Sequence, residues 1–169
     1  MRRLFPLACA LVAISMLPAC NSNSAPGNDR EAQIDPAPTP APRMSAAEAL
    51  SGIAVEAVQP ETMTDADIAA LGGLEGRCAI RLTEVSEPSF LYSPGGTGAI
   101  KLNGKLIELP PAGGQRFADA GLTVQLRAAE GEGNAGLPEH EMIVMLPGAK
   151  DELGFRGYRD CVGSREKGA

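Results

Sequence analysis

The dipeptide Asn103-Gly104 sits between two short runs of alternating polarity, Ala99-Ile100-Lys101-Leu102 and Lys105-Leu106-Ile107-Glu108-Leu109. A two-residue type I′ turn needs positive φ at both central positions, which Asn and Gly tolerate better than other residues. The pair therefore specifies a β-hairpin. The turn also sets the register, so Ile100, Leu102, Ile107 and Leu109 fall on one face. Lys101 and Glu108 fall on the other as a diagonal charge pair. An isolated hairpin is marginal in water, so the apolar face must be covered by further strands.

Those strands are legible downstream of Gly73. Cys78, Ile80 and Leu82 alternate with Ala79, Arg81 and Thr83, and Leu122, Val124, Leu126 and Ala128 alternate with Thr123, Gln125 and Arg127. Both read as half-buried strands. Residues 141–146 (EMIVML) are apolar on both parities, as in a central strand, and Pro147-Gly148 ends them. Residues 90–92 and 155–158 read as shorter strands. Aromatics make up only 4% of the chain and Trp is absent, so the core must come from Leu, Ile, Val, Ala and Met. The length of 169 residues allows one modest domain plus tails. The expectation is a mainly β domain over residues 73–163. It would be a small antiparallel sandwich or barrel of six to seven strands, closed by one disulfide, with a loose tail over 164–169.

Residues 45–72 carry two helix starts. Ser45-Ala46-Ala47-Glu48 fits a capping box, predicting a helix near 46–52, and Thr64-Asp65-Ala66-Asp67 opens a second that Gly72-Gly73 stops. Each is about two turns, too short to stand alone in water. They form a short helical neck. Before them, residues 20–44 are polar and then rich in Pro and Ala without apolar periodicity, which predicts a disordered stalk with polyproline II character. Such a tether spans on the order of 70 Å.

The first residues, MRRLFPLACALVAISMLPAC, combine Arg2 and Arg3 with an apolar run shorter than the roughly 20 residues needed to cross a bilayer. This pattern is a secretory signal peptide over residues 1–19. Its ending, Leu17-Pro18-Ala19-Cys20, resembles the lipobox of bacterial lipoproteins, although Pro18 is unusual at its place. The resemblance covers only this segment. It implies cleavage before Cys20, lipidation of Cys20 and anchoring in the cell envelope, and two or three acyl chains hold a protein stably in a membrane. Asn21, not Asp, follows the Cys, and resemblance to lipoprotein sorting in enteric bacteria implies the outer membrane, facing the periplasm.

The remaining cysteines, Cys78 and Cys161, are an even pair in an oxidising compartment and are expected to form a disulfide. A two-Cys metal site or a redox pair are the alternatives. No CxxC spacing supports either, and His140 is the only soft co-ligand. From Cys20 onward the chain carries 13 basic and 21 acidic residues, but residues 73–163 carry 9 and 12, so most of the acidity belongs to the stalk and neck. A nearly balanced domain offers nothing to a phosphate backbone, and no nucleic-acid partner is expected.

Candidate chemistry is sparse. Gly131 to Gly136 matches G-x-G-x-x-G but opens no helix, so it reads as a loop between antiparallel strands rather than a dinucleotide site. In Glu139-His140-Glu141 the two acids share one strand face and His140 takes the other, so the three do not converge on a metal. His140 is expected to be an exposed loop or strand-edge residue. No Ser sits in a nucleophile elbow and the one His is flanked by acids with no partner motif, so a Ser-His-Asp triad has no support, and neither an enzyme nor a cofactor is expected. The most suggestive residues are Tyr92 and the stretch Phe155-Arg156-Gly157-Tyr158-Arg159, which hold types enriched in binding hot spots. Parity puts Arg156 and Tyr158 on one face and Phe155 and Arg159 on the other, without saying which face is core. Tyr92, Arg156, Tyr158 and Arg159 form the candidate binding surface.

The expected function is a non-catalytic envelope lipoprotein, a binding or structural module with membrane contact through Cys20 and an envelope protein as potential partner. A small disulfide-closed β domain behind a lipobox is also similar, in architecture alone, to membrane-bound inhibitors of c-type lysozyme. That resemblance implies a periplasmic hydrolase inhibitor. A carboxylate-dependent glycan hydrolase is the third reading, although sugar sites use stacking aromatics that this chain largely lacks.

Overall fold

The computed structural model describes residues 37–163. The expected signal peptide, Cys20, most of the expected stalk and the expected tail lie outside the described residues. In chain order the elements are β1 (Arg43–Met44), α1 (Ala46–Leu50), a 3₁₀ turn (Val55–Ala57), β2 (Pro60–Glu61), α2 (Asp65–Ala70), β3 (Cys78–Arg81) and β4 (Phe90–Tyr92). They continue with β5 (Gly98–Leu102), β6 (Lys105–Leu109), β7 (Arg116–Asp119), β8 (Leu122–Glu132), β9 (Pro138–Met145) and β10 (Leu153–Cys161).

All ten strands belong to one mixed sheet, in the order β1-β6-β5-β4-β3-β10-β9-β8-β7 with β2 added beside β5. The sheet curls into a half-barrel. Its two long edges approach each other, with a bridge between Pro111 and Phe117 and a hydrogen bond from the Ala118 amide to the Pro110 carbonyl. Only β1 pairs in parallel. The expected six to seven strands are therefore too few. Two of the extra strands, β1 and β2, are two-residue pieces of the stalk and neck. The third, β7, is joined to β8 by Ala120-Gly121, where Ala120 takes φ 45°. An Ala in the left-handed region carries no sequence signal for a turn.

The hairpin at Asn103-Gly104 forms as expected, with φ of 46° and 70° and Leu102 opposite Lys105. Its apolar face joins Ile80, Phe90, Val124, Met142 and Val144 in the interior core. Its charges do not pair with each other. Lys101 donates to Asp67 at 2.8 Å and Glu108 pairs with Arg43, because the neck and stalk lie over this outer face and offer better partners.

The neck is part of the domain. Both capping boxes form, at Ser45/Glu48 and Thr64/Asp67. Ala46, Ala49 and Val58 are buried in the interior core. Met63, Ile68 and Leu71 build a second core on the outside of the sheet, over Ala79, Leu91, Ala99 and Leu106. The small residues Ala79 and Ala99 leave room for that layer. Arg43 and Met44, assigned by composition to the stalk, pair with Leu106 and Ile107. Burial of these faces supplies the stability that helices of five and six residues lack alone.

Asp67 ties the outer layer together. It is 1% exposed and accepts from Lys101 Nζ, from the Ala41 amide at 2.6 Å and from the Thr64 amide at 2.9 Å. Burial alone would raise its pKa, but these donors outweigh it and hold the carboxyl at about 2.

Candidate functional site

Cys78 and Cys161 stand directly opposite each other on β3 and β10 and are joined by a disulfide. This staple marks one end of the half-barrel. The register passes from Cys78 to Tyr92 on β4 and from Tyr92 to Gly98 on β5. Phe90, Tyr92 and Phe117 pack as an aromatic cluster with ring centroids 5.1–5.9 Å apart. Gly98 lies beneath them, and a methyl group there would overlap the rings of Phe90 and Phe117. Above the cluster opens a cavity of about 220 Å³, lined by Cys78, Tyr92, Pro94, Gln115, Phe117 and Arg159, with Gly95 and Gly114 at its rim.

Arg159 is the charged residue of that lining. It faces inward because it lies opposite Ile80, a core residue, and two places along β10 from Cys161. Among the described residues it makes no salt bridge. Burial raises the Tyr92 hydroxyl pKa above its ordinary value, and the positive Arg159 guanidinium beside it offsets this only in part.

His140 belongs to the same face. Its strand β9 turns His140, Met142 and Val144 toward the interior, and Gly157 of β10 stands directly opposite the imidazole. At Gly157 the backbone of Arg81 and Leu82 crosses so closely that a Cβ would overlap the Arg81 carbonyl. His140 is 2% exposed, and neither ring nitrogen has a hydrogen-bond partner among the described residues. Burial lowers its pKa, and the positive charge of Arg159 lowers it further. The neighbouring backbone of Pro138 and Glu139 opposes this without reaching hydrogen-bond geometry. The expectation of an exposed strand-edge His140 is thus corrected. The signal was present, since His140 shares its parity with Met142 and Val144, but the run is apolar on both parities and hid it.

The four residues of the expected binding surface do not form one surface. Tyr92 and Arg159 face the interior, with Tyr92 only 6% exposed. Arg156 and Tyr158 lie on the outside. There Arg156 pairs with Glu139 at 3.8 Å and Tyr158 stands opposite Arg81 and Glu139 in the ladder. Arg81 is held by Asp160 at 3.5 Å and by the Ser86 carbonyl. Phe155 packs on the interior core, which decides the parity of β10. Phe117 and Gln115 are the lining residues that sequence reasoning did not single out, because β7 was not recognised as a strand.

The G-x-G-x-x-G segment forms the turn between β8 and β9, as expected. Its Asn134 and Ala135 amides donate to Glu84 at 3.1 and 2.6 Å, so an acidic side chain occupies the place a phosphate would take. Among the described residues, no group of three His, Cys, Asp or Glu could hold a metal ion.

The other end of the half-barrel is covered by the neck. A cavity of about 420 Å³ there lies between the 3₁₀ turn and the loop from β9 to β10, lined by Val55, Val58, Leu146, Ala149 and Leu153, with Glu56, Lys150 and Asp151 alongside.

No curated protein and no solved structure matches this chain. A family model does match, over residues 16–164, a span that holds Leu17 to Cys20 as well as the whole described β domain. The chain belongs to that family, described as a domain of unknown function, DUF6692.

Proposed function

We propose that this protein is a bacterial envelope lipoprotein, anchored by lipid on Cys20, whose half-barrel is a non-catalytic binding module displayed on a tether. The observation that carries the reading is the Cys78–Cys161 disulfide at the open end of the barrel. Structural disulfides persist in oxidising compartments, and the Leu17-Pro18-Ala19-Cys20 ending is the feature that would deliver the domain to one. The binding role draws support from a cavity whose lining holds an Arg without an acid partner among the described residues. The chain's single imidazole sits deeper in the barrel than that Arg.

The test is expression of the full chain in a Gram-negative host with radiolabelled palmitate, beside Cys20→Ala. The expected result is label on the wild type alone, partition into detergent, and an N-terminal peptide starting at a triacylated Cys20. A soluble, unlabelled wild type overturns the anchor. Crosslinking in the cell followed by mass spectrometry tests the module. A recurrent envelope protein or a retained small ligand supports binding, whereas substrate turnover lost on neutralising one acid overturns it.

A further inference from the structure

The open end of the half-barrel combines three features that a purely structural end does not need. The first is a guanidinium without an acid partner among the described residues, set in the wall of a 220 Å³ cavity. The second is His140, outside that lining and opposite Gly157, two places along β10 from Arg159, almost fully buried with both ring nitrogens unpartnered among the described residues. A neutral imidazole carries one N–H and one acceptor nitrogen, and a buried donor left without a partner is destabilising. The third is the lining beside the cation, which is aromatic and apolar at Tyr92, Phe117 and Pro94, with Gln115 as the neutral polar group.

We infer that this end is a binding site for a carboxylate borne on a small apolar body, with Arg159 as the anion-binding residue and Tyr92, Phe117 and Pro94 as the wall. One cation matches one negative charge, and a guanidinium presents two parallel N–H groups to a carboxylate. A phosphate, carrying more charge, would leave part of it unpaired here. The cavity is smaller than the roughly 300–1,000 Å³ of sites for larger molecules, so it takes a chain end or a small acid. The shared chemistry has two sources, the C-terminus of a peptide and a free short-chain acid. This inference rests on the binding-module half of the proposed function and is independent of the lipid on Cys20.

His140 is the only histidine in the chain, so its Hε1 proton gives a single unoverlapped imidazole resonance close to the Arg159 charge. The experiment follows that resonance by NMR in the full chain in detergent, during titration with N-acetyl-alanyl-alanine, with its C-terminal amide and with butyrate. The expected result is a saturable shift at millimolar concentration or below with a carboxylate probe and none with the amide. Arg159→Gln should weaken binding about tenfold or more, the loss of a charge-assisted contact, while Arg156→Gln on the outer face should leave it unchanged. Stronger binding of the peptide than of butyrate assigns the site to a chain end, and equal binding assigns it to free acids. No shift with either carboxylate up to tens of millimolar overturns the site, as does an equal response to the amide or binding that survives Arg159→Gln in a folded variant. Such a failure leaves the envelope reading standing if Cys20 is lipidated and crosslinking finds a partner on another face.

Discussion

The two ends of the half-barrel are built from the same strands and finished in opposite ways. At the neck end, the turns at Asn103-Gly104 and Ala120-Gly121 are met by residues from upstream in the chain. Lys105 donates to the Ala49 carbonyl, Asn103 exchanges hydrogen bonds with Ala57 and Gln59, and Ala46 and Ala49 are buried. At the disulfide end no such segment arrives among the described residues. The interior there finishes in Tyr92, Phe117, Arg159 and His140, with a covalent bond in place of a plug. A barrel end can be stabilised by added chain or by a crosslink; the cavity at the neck end has its charges of both signs on the covering loops, whereas the smaller one at the crosslinked end has a single cation, Arg159, in its wall.

The largest expected effect breaks the crosslinked end. The Cys78–Cys161 bond closes a sequence separation of 83 residues, worth about 4.5 kcal/mol in the chain-entropy picture. The double variant Cys78→Ser/Cys161→Ser should lose stability of that order in urea unfolding, and reductant should do the same to the wild type. A loss below about 1 kcal/mol would mean that the open end is held by its aromatic cluster instead.

Next in size is the anchor of the outer layer. Asp67→Asn leaves Lys101 buried without its counter-ion and should cost about 3 kcal/mol. The same group predicts an acid limb. Its folded pKa of about 2 lies below the ordinary 3.8, so its contribution is complete above pH about 4 and is lost as pH falls toward 2. Wild-type stability should drop by about 2 kcal/mol through that window, and Asp67→Asn should flatten the limb. Equal acid sensitivity in both proteins would move the responsible carboxylate elsewhere.

Ser45→Ala removes the N-cap of α1 and should cost about 1 kcal/mol. Amide exchange should then rise at the neck end, around Leu102 and Leu122, and stay unchanged around Cys78 and Tyr92. Faster exchange at both ends would show that they are coupled. The smallest effect is at the second turn. Ala120→Asn relieves an exposed left-handed Ala and should stabilise by about 0.5 kcal/mol in thermal melts.

Local pattern carried much of this architecture. The hairpin at Asn103-Gly104, the two capping boxes, the faces of β3, β5, β6 and β8 and the central place of β9 all follow from short-range chemistry, and the Cys78–Cys161 pair from cysteine count. Period two states which residues share a face, and turn and cap residues state where elements begin. Neither states which face is inside. For β10 the pattern offered two mirror assignments, and the packing of Phe155 on the core turned Arg159 inward and Arg156 and Tyr158 outward. His140 was misread for the same reason.

Local chemistry along the chain sets the strands with strong alternation, their turns, their caps and an even pair of cysteines in the domain. The tertiary structure alone decided that the neck is core rather than spacer, since the apolar residues of a five-residue helix have no fixed partner until a sheet is there to receive them. It also decided the partners of Lys101 and Glu108, because a charge pairs with whatever the fold brings nearest. The meeting of Tyr92, Phe117, His140 and Arg159 at one end was likewise a tertiary result. These residues come from four strands spread over 67 positions, and only the curling of the sheet turns them to one interior, with Tyr92, Phe117 and Arg159 lining the cavity.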